Sequence, residues 1–350
     1  MILRSWQQKI IDDYPSIIKQ NKRFILKAPT GAGKTILASE IVERFYKEKK
    51  ILVLCHRLVL LEQLERALSK RHKVRKLSLS ESGPAFNDYD ILLSTNMRAK
   101  EVLEEAIRLA DLIIVDEAHR VSPNGSGYKK ILDDFESYGK PDAQFMGLTA
   151  SPERRTGDQR DQLNLAFDAI IDCADIETLI EEGILVPPIY RPHFVHDLDL
   201  KSIDISSGDF PVSKLAPAIV KSSMIDYALF IYEEERSNVS PKPISAWFCP
   251  DVTVAEATLE KIEQAGIQVA IVTANTPIAE RMRLLKQHED GEIEAMVSVG
   301  VLAEGWDNPH CNIIVHLRPT LSKVVWGQTV GRGLRSAPGK EKCVVIDVSS

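Results

Sequence analysis

The residues Ala28-Pro29-Thr30-Gly31-Ala32-Gly33-Lys34-Thr35 have the types and spacing to hold a polyphosphate. Gly31 and Gly33 permit backbone N–H groups to turn inward around an anion. Lys34 can then reach the β- and γ-phosphates, and the Thr35 hydroxyl can ligate Mg²⁺. An apolar run, Phe24-Ile25-Leu26, enters the stretch, and Ile36-Leu37-Ala38-Ser39-Glu40-Ile41 leaves it at helical spacing. Strand, glycine loop and helix N-terminus together make a P-loop; an ordinary Gly-containing turn has no use for the Lys-Thr pair. ATP is the ligand this pattern predicts.

Two more sets could act on such a ligand. Leu112-Ile113-Ile114-Val115 runs straight into Asp116-Glu117-Ala118-His119. An Asp at the tip of a buried strand can hold Mg²⁺, usually through water, and Glu117 can orient and deprotonate an attacking water. Later come Gln328-Thr329-Val330-Gly331-Arg332-Gly333-Leu334-Arg335. Arg332 and Arg335 are three apart, so on a helix both project from one face. Their planar forks suit phosphate oxygens. Gly331 and Gly333 would only weaken a plain solvated helix.

Weaker candidates surround these. Gln7 could meet the N6/N7 edge of adenine, yet taken alone it reads as a surface glutamine. His56-Arg57 and Ser94-Thr95-Asn96 follow apolar strands, at the carboxyl ends where open α/β sheets bind ligands. Thr149 and Ser151, after another such strand, read either as sensors of the nucleotide state or as strand-end caps.

Positioning these groups takes two α/β cycles. The first extends to about residue 187, with strands near 51–55, 91–93, 112–115 and 144–148 and helices near 58–70, 159–167 and 176–182. From 187 to 243 the pattern weakens: Asp197, Asp199, Asp204 and Asp209 alternate with short apolar pieces, and one helix covers 213–235. His193 and His196 there read as surface or packing histidines. The second cycle has strands near 244–248, 269–272, 295–299, 313–317 and 344–346, with helices near 252–264 and 278–288. The expected fold class is α/β with two parallel-sheet domains, 1–186 and 244–350, joined by a connector at 187–243.

A length of 350 residues suits two domains. The net charge of −6 argues against indiscriminate nucleic-acid affinity, but eleven Lys/Arg against three Glu fall between Arg44 and Lys76. From Arg318 to Lys342 there are six Lys/Arg against one Glu. Either run alone could be a solvated helix face. No apolar run approaches the ~20 residues of a membrane span, and the start is not a signal peptide. Five cysteines without a CxxC pair point away from zinc and toward a reducing cytoplasm.

Taken together the motifs resemble a superfamily 2 helicase core over nearly the whole chain. In order they are Trp6-Gln7, APTGAGKT at 28–35, LCHRLVLLEQ at 54–63, DEAH at 116–119, GLTASPER at 147–154, VLAEGWDNP at 301–309 and QTVGRGLR at 328–335. The run from Arg318 to Lys340 is most like the bacterial and phage DNA helicases similar to RadD and the XPB-like repair translocases. The resemblance implies two RecA-like domains with ATP and Mg²⁺ between them and a nucleic-acid strand across both. It implies that Gln7, Thr30, Gly31, Ala32, Gly33, Lys34 and Thr35 bind nucleotide, with Thr35 and Asp116 on Mg²⁺ and Glu117 as base. It places Gly305 and Asp307 near the nucleotide from the second domain, with Arg332 and Arg335 as finger candidates. Arg57 and Thr95 become strand contacts; His119, Gln328, Thr149 and Ser151 couple nucleotide state to domain movement. Ser5 and Ser151 stand where proline and threonine are more usual. The expected activity is ATP-driven translocation on or unwinding of DNA, with little sequence preference. An RNA helicase, or an ATP-gated subunit of a larger repair or restriction complex, is the alternative. No accessory domain follows Asp347, which suits a minimal motor or a fragment of a longer protein.

Overall fold

Runs such as Ile51–Cys55, Ile91–Thr95 and Leu112–Asp116 carry apolar side chains on both faces of a strand, so they must be covered on both sides. In the computed structural model they form the middle of a parallel sheet, and their residues are almost wholly buried. The structure describes all residues except 1–2, 56–64, 66–67, 70–71, 78–83, 96–99, 122–127, 151–162, 164–165, 207, 304–305 and 349–350. The chain divides into two units, Met1–Asp175 and Ile176–Ser350.

The first unit holds β1 (Arg23–Lys27), β2 (Ile51–Cys55), β3 (Val74–Lys76), β4 (Ile91–Thr95), β5 (Leu112–Asp116), β6 (Gln144–Thr149) and β7 (Ala169–Asp172). They lie in the order β3-β4-β2-β5-β6-β1-β7, with every pairing parallel. Its helices are α1 (Ser5–Gln20), α2 (Lys34–Phe45), α3 (Lys100–Leu109) and α4 (Tyr128–Tyr138). Leu103, Ile107, Leu132 and Phe135 of α3 and α4 bury against Ile113 and Phe145 of the sheet. The helix expected near 159–167 falls largely outside the described residues, as does most of the helix expected near 58–70.

The second unit is another parallel sheet: β8 (Pro188–Pro192), β9 (Ser245–Phe248), β10 (Val269–Val272), β11 (Ala295–Ser298), β12 (Ile313–His316) and β13 (Cys343–Asp347), in the order β10-β11-β9-β12-β13-β8. Its helices are α5 (Ile176–Glu181), α6 (Val212–Lys221), α7 (Met224–Arg236), α8 (Val252–Gln264), α9 (Ile278–Glu289) and α10 (Lys323–Gly333).

The stretch expected as a connector is part of this unit. Residues 188–192 add the edge strand β8 beside β13, and Leu215, Ile219, Ile225, Ile231 and Tyr232 share a core with Trp247, Ile313 and Ile346. The single helix expected over 213–235 is two, broken at Ser222, whose backbone is extended. Asp197 explains the break: its carboxylate accepts from the Ser223 N–H at 2.8 Å and the Ser223 hydroxyl at 3.0 Å, drawing the chain out of the helix. Among the described residues no single helix is long and apolar enough to cross a membrane.

Candidate active site

The loop between β1 and α2 is held by its own backbone and by α1. Gly31 and Gly33 sit at φ 84° and 97°, which favours glycine. Lys34 folds back, its Nζ donating to Ala28 O at 2.9 Å and Pro29 O at 3.1 Å. That posture leaves the ammonium over the loop, and the first N–H groups of α2 have no acceptors within the helix. These residues fit a polyphosphate. Gln7 is buried, not a surface glutamine. Its Oε1 accepts from the Arg4 N–H and its Nε2 donates to Gly33 O, each at 3.0 Å. Arg4, which the sequence reading passed over, donates from its guanidinium to Ala32 O at 2.5 Å and Gly31 O at 3.3 Å. Its only signal in sequence was its place beside Ser5-Trp6-Gln7.

Parallel strands put their carboxyl ends on one edge, so β1, β5 and β6 deliver the loop, Asp116 and Thr149 to the same side. In register, Lys27 of β1 lies opposite Thr149, and Asp116 of β5 opposite Leu148. The Ala28 N–H donates to Thr149 O at 3.1 Å, tying the base of the loop to the end of β6. Glu117 takes a left-handed conformation, φ 54° and ψ 49°, uncommon outside glycine and costly by about 1–3 kcal/mol. The turn aims a single helical turn, Ala118–Arg120, back at β6. There His119 Nδ1 lies 3.1 Å from Thr149 Oγ1 and 3.2 Å from Glu117 Oε2. His119 and Thr149, far apart in sequence, therefore share one contact. Tyr128 is buried near this edge, and burial pushes its phenol well above the usual range. Thr95 closes β4 at the same edge and is buried; Arg57 and Ser151 lie outside the described residues. Thr30, Ala32 and Thr35 complete the loop and the start of α2.

In the second unit α10 carries Gln328, Thr329 and Arg332, all buried. Arg335 lies past the helix end: α10 stops at Gly333 and is capped by Leu334. The shared helix face expected for the two arginines is therefore replaced by a shared target. Arg332 donates to Trp306 O at 2.8 Å and to Ala303 O at 3.0 and 3.2 Å. Arg335 reaches Trp306 O at 3.5 Å and pairs with Asp307. Gly305 lies outside the described residues. Asn308, the residue after Asp307, was not singled out from sequence, yet it is fully buried and its Nδ2 donates to His288 Nδ1 at 3.1 Å. Asp209, from the stretch expected as connector, accepts from Thr320 Oγ1 at 2.7 Å and the Leu321 N–H at 2.9 Å, at the start of α10.

A parallel-sheet unit with a P-loop and acidic strand tip, followed by a second parallel-sheet unit bearing a buried arginine and a half-buried one, defines a P-loop NTPase of the two-sheet kind. Residues 1–154 match the family described as "Type III restriction enzyme, res subunit", and residues 230–337 match "Helicase conserved C-terminal domain". A Saccharomyces cerevisiae protein named as an ATP-dependent helicase, IRC3, is 27% identical over 99% of this chain and 51% of its own length. A protein named as helicase 22 of a Sulfolobus islandicus filamentous virus is 25% identical over 99% of this chain and 64% of its own. A solved fragment described as the HsdR subunit of a type I restriction enzyme from Vibrio vulnificus YJ016 superposes with a TM-score of 0.75 at 21% identity, over 100% of this chain and 64% of that one, a likeness of fold. The two family matches and these relatives make the chain homologous to helicases and give it a superfamily 2 helicase core of two parallel-sheet α/β domains. It spans 51% and 64% of the length of those two relatives.

Proposed function

We propose that this chain is the motor core of an ATP-dependent DNA helicase or translocase. The observation that carries the reading is the shared sheet edge of the first unit, where the P-loop is bonded to Thr149 and Thr149 lies against His119 beside Glu117. In this reading Gly31, Gly33, Lys34 and Thr35 cradle the phosphates, and Gln7 braces them through Gly33. Thr35 and Asp116 would hold Mg²⁺, which would supply positive charge to offset that of the phosphates. Glu117 takes the proton of the attacking water. Arg332 and Arg335 offer charge to the transferring phosphoryl group, a role worth about 10³–10⁵ in rate where an arginine performs it. The His119–Thr149 contact carries the state of that site to the end of β6, and Gln328 does the same from α10. Thr95 and Arg57, with the basic 44–76 run, contact a strand backbone.

The test sets ATPase stimulation by single-stranded DNA, duplex DNA and RNA side by side, then strand displacement on substrates with 3′ or 5′ tails. Stimulation by DNA with displacement or translocation is the expected result; stimulation by RNA alone would overturn the choice of partner. The match of residues 1–154 to a restriction-enzyme subunit family favours a second reading, in which the same motor serves a larger complex. ATPase stimulated by duplex DNA without strand displacement would favour it.

A further inference from the structure

Lys340 lies between α10 and β13, in a turn closed by its own N–H donating to Ala337 O at 3.0 Å. The side chain is buried, and its Nζ meets four main-chain oxygens: Pro309 O at 2.8 Å, Cys311 O and Gly333 O at 2.7 Å, and Arg335 O at 2.6 Å. An ammonium has three protons, so four carbonyls converging on it form a cage around a point charge. Among the described residues no carboxylate pairs with it. One of the oxygens, Gly333 O, ends α10, where helix carbonyls lack partners and favour a cation, and Arg335 O follows two residues past that end. The other two belong to the loop that continues Asp307-Asn308. The same two segments are joined by the guanidinium bonds of Arg332 and Arg335 to Ala303 and Trp306.

Burying a charge is costly unless every donor is satisfied, and an apolar side chain of similar volume would often serve stability as well. Burial also draws the ammonium's pKa below its ordinary value. A lysine here holds main chain that an apolar residue could not.

We propose that Lys340 is a positioning residue for hydrolysis: its ammonium locks the end of the arginine helix to residues 309–311, next to Trp306 and Asp307, so that Arg332 and Arg335 are held in the posture that acts on phosphate. This rests on the reading that those arginines act on the nucleotide. The test measures kcat and KM for ATP in the full chain for Lys340→Met, Lys340→Arg, Arg332→Lys and the double variant Lys340→Met/Arg332→Lys. Lys340→Met should lower kcat roughly tenfold to a hundredfold, the scale of a small misplacement of a catalytic group. KM should stay within about twofold, because the phosphate loop is untouched. Lys340→Arg should also lose turnover, since a planar fork does not fit four oxygens meeting at a point. The double variant should lose no more than Arg332→Lys alone. Full kcat in a folded Lys340 variant alongside an inactive Arg332→Lys, or losses that multiply in the double variant, would overturn the proposal. Full turnover by Arg332→Lys itself would overturn the arginine reading instead. If circular dichroism finds neither Lys340 variant folded, the lysine serves stability alone and the proposal also falls.

Discussion

Gly33 shows how narrowly single positions are constrained. At φ 97° an added Cβ would lie 3.0 Å from Gln7 Nε2 and 3.3 Å from an Arg4 guanidinium nitrogen. Gly33→Ala is expected to cost about 1–3 kcal/mol, seen as a lower melting temperature, and to weaken ATP binding measured by titration calorimetry. His288 makes a different prediction. It is buried, with Nε2 at 3.0 Å from Ser245 O and Nδ1 facing the Asn308 amide, so its neutral form is satisfied and a second proton would meet a donor. Burial pushes its pKa down to about 4, and the same cause takes His316 to about 4. Between pH 6.5 and 4 the unfolded chain binds protons that the folded rings refuse. Their contribution is therefore complete above pH 6.5 and is lost as pH falls through that window. Each ring accounts for roughly 2 kcal/mol between pH 6.5 and pH 5. Urea unfolding at the two pH values should show the loss, and His288→Gln should remove about half of it.

At the scale of elements, α10 is fixed by close contact with the sheet. A Cβ on Gly333 would stand 2.5 Å from Cys343 Sγ and 2.6 Å from Ile314 Cγ1, so the helix end lies directly on β12 and β13. Gly333→Val should destabilise by about 1–3 kcal/mol or more and lower the urea midpoint of the second unit. That glycine was legible in sequence as an oddity for a solvated helix; its reason is the packing. The central strands were legible too, because burial on both faces leaves unbroken apolar runs. The strands the sequence did not announce, β3, β7 and β8, are all at sheet edges, where side chains are half exposed and the apolar signal fades. β8 even begins and ends with proline, which reads as a break yet is tolerated where one side of a strand is unpaired. The chemical motifs of the site were legible as motifs, whereas Asp209, Asn308 and Lys340 were not. Their partners are largely backbone groups and lie up to 112 residues away, and a backbone oxygen leaves no mark on a sequence.

For the whole molecule, the net charge of −6 and the basic run from Arg44 to Lys76 set the terms of any nucleic-acid binding. Attraction must come from local phosphate contacts working against the overall field, so affinity for single-stranded DNA should fall steeply with salt. Each phosphate contact adds about −0.7 to the slope of log K against log salt, and fluorescence anisotropy at several salt concentrations would read it. A salt-independent affinity would argue against backbone contact. The most direct measurement of the central claim is steady-state ATP hydrolysis by the intact chain and by Glu117→Gln, each with and without single-stranded DNA. Hydrolysis that rises on adding DNA in the first and is lost in the second, by about 10²–10⁴, is the predicted result. Undiminished turnover in Glu117→Gln, or hydrolysis indifferent to DNA, would contradict the account.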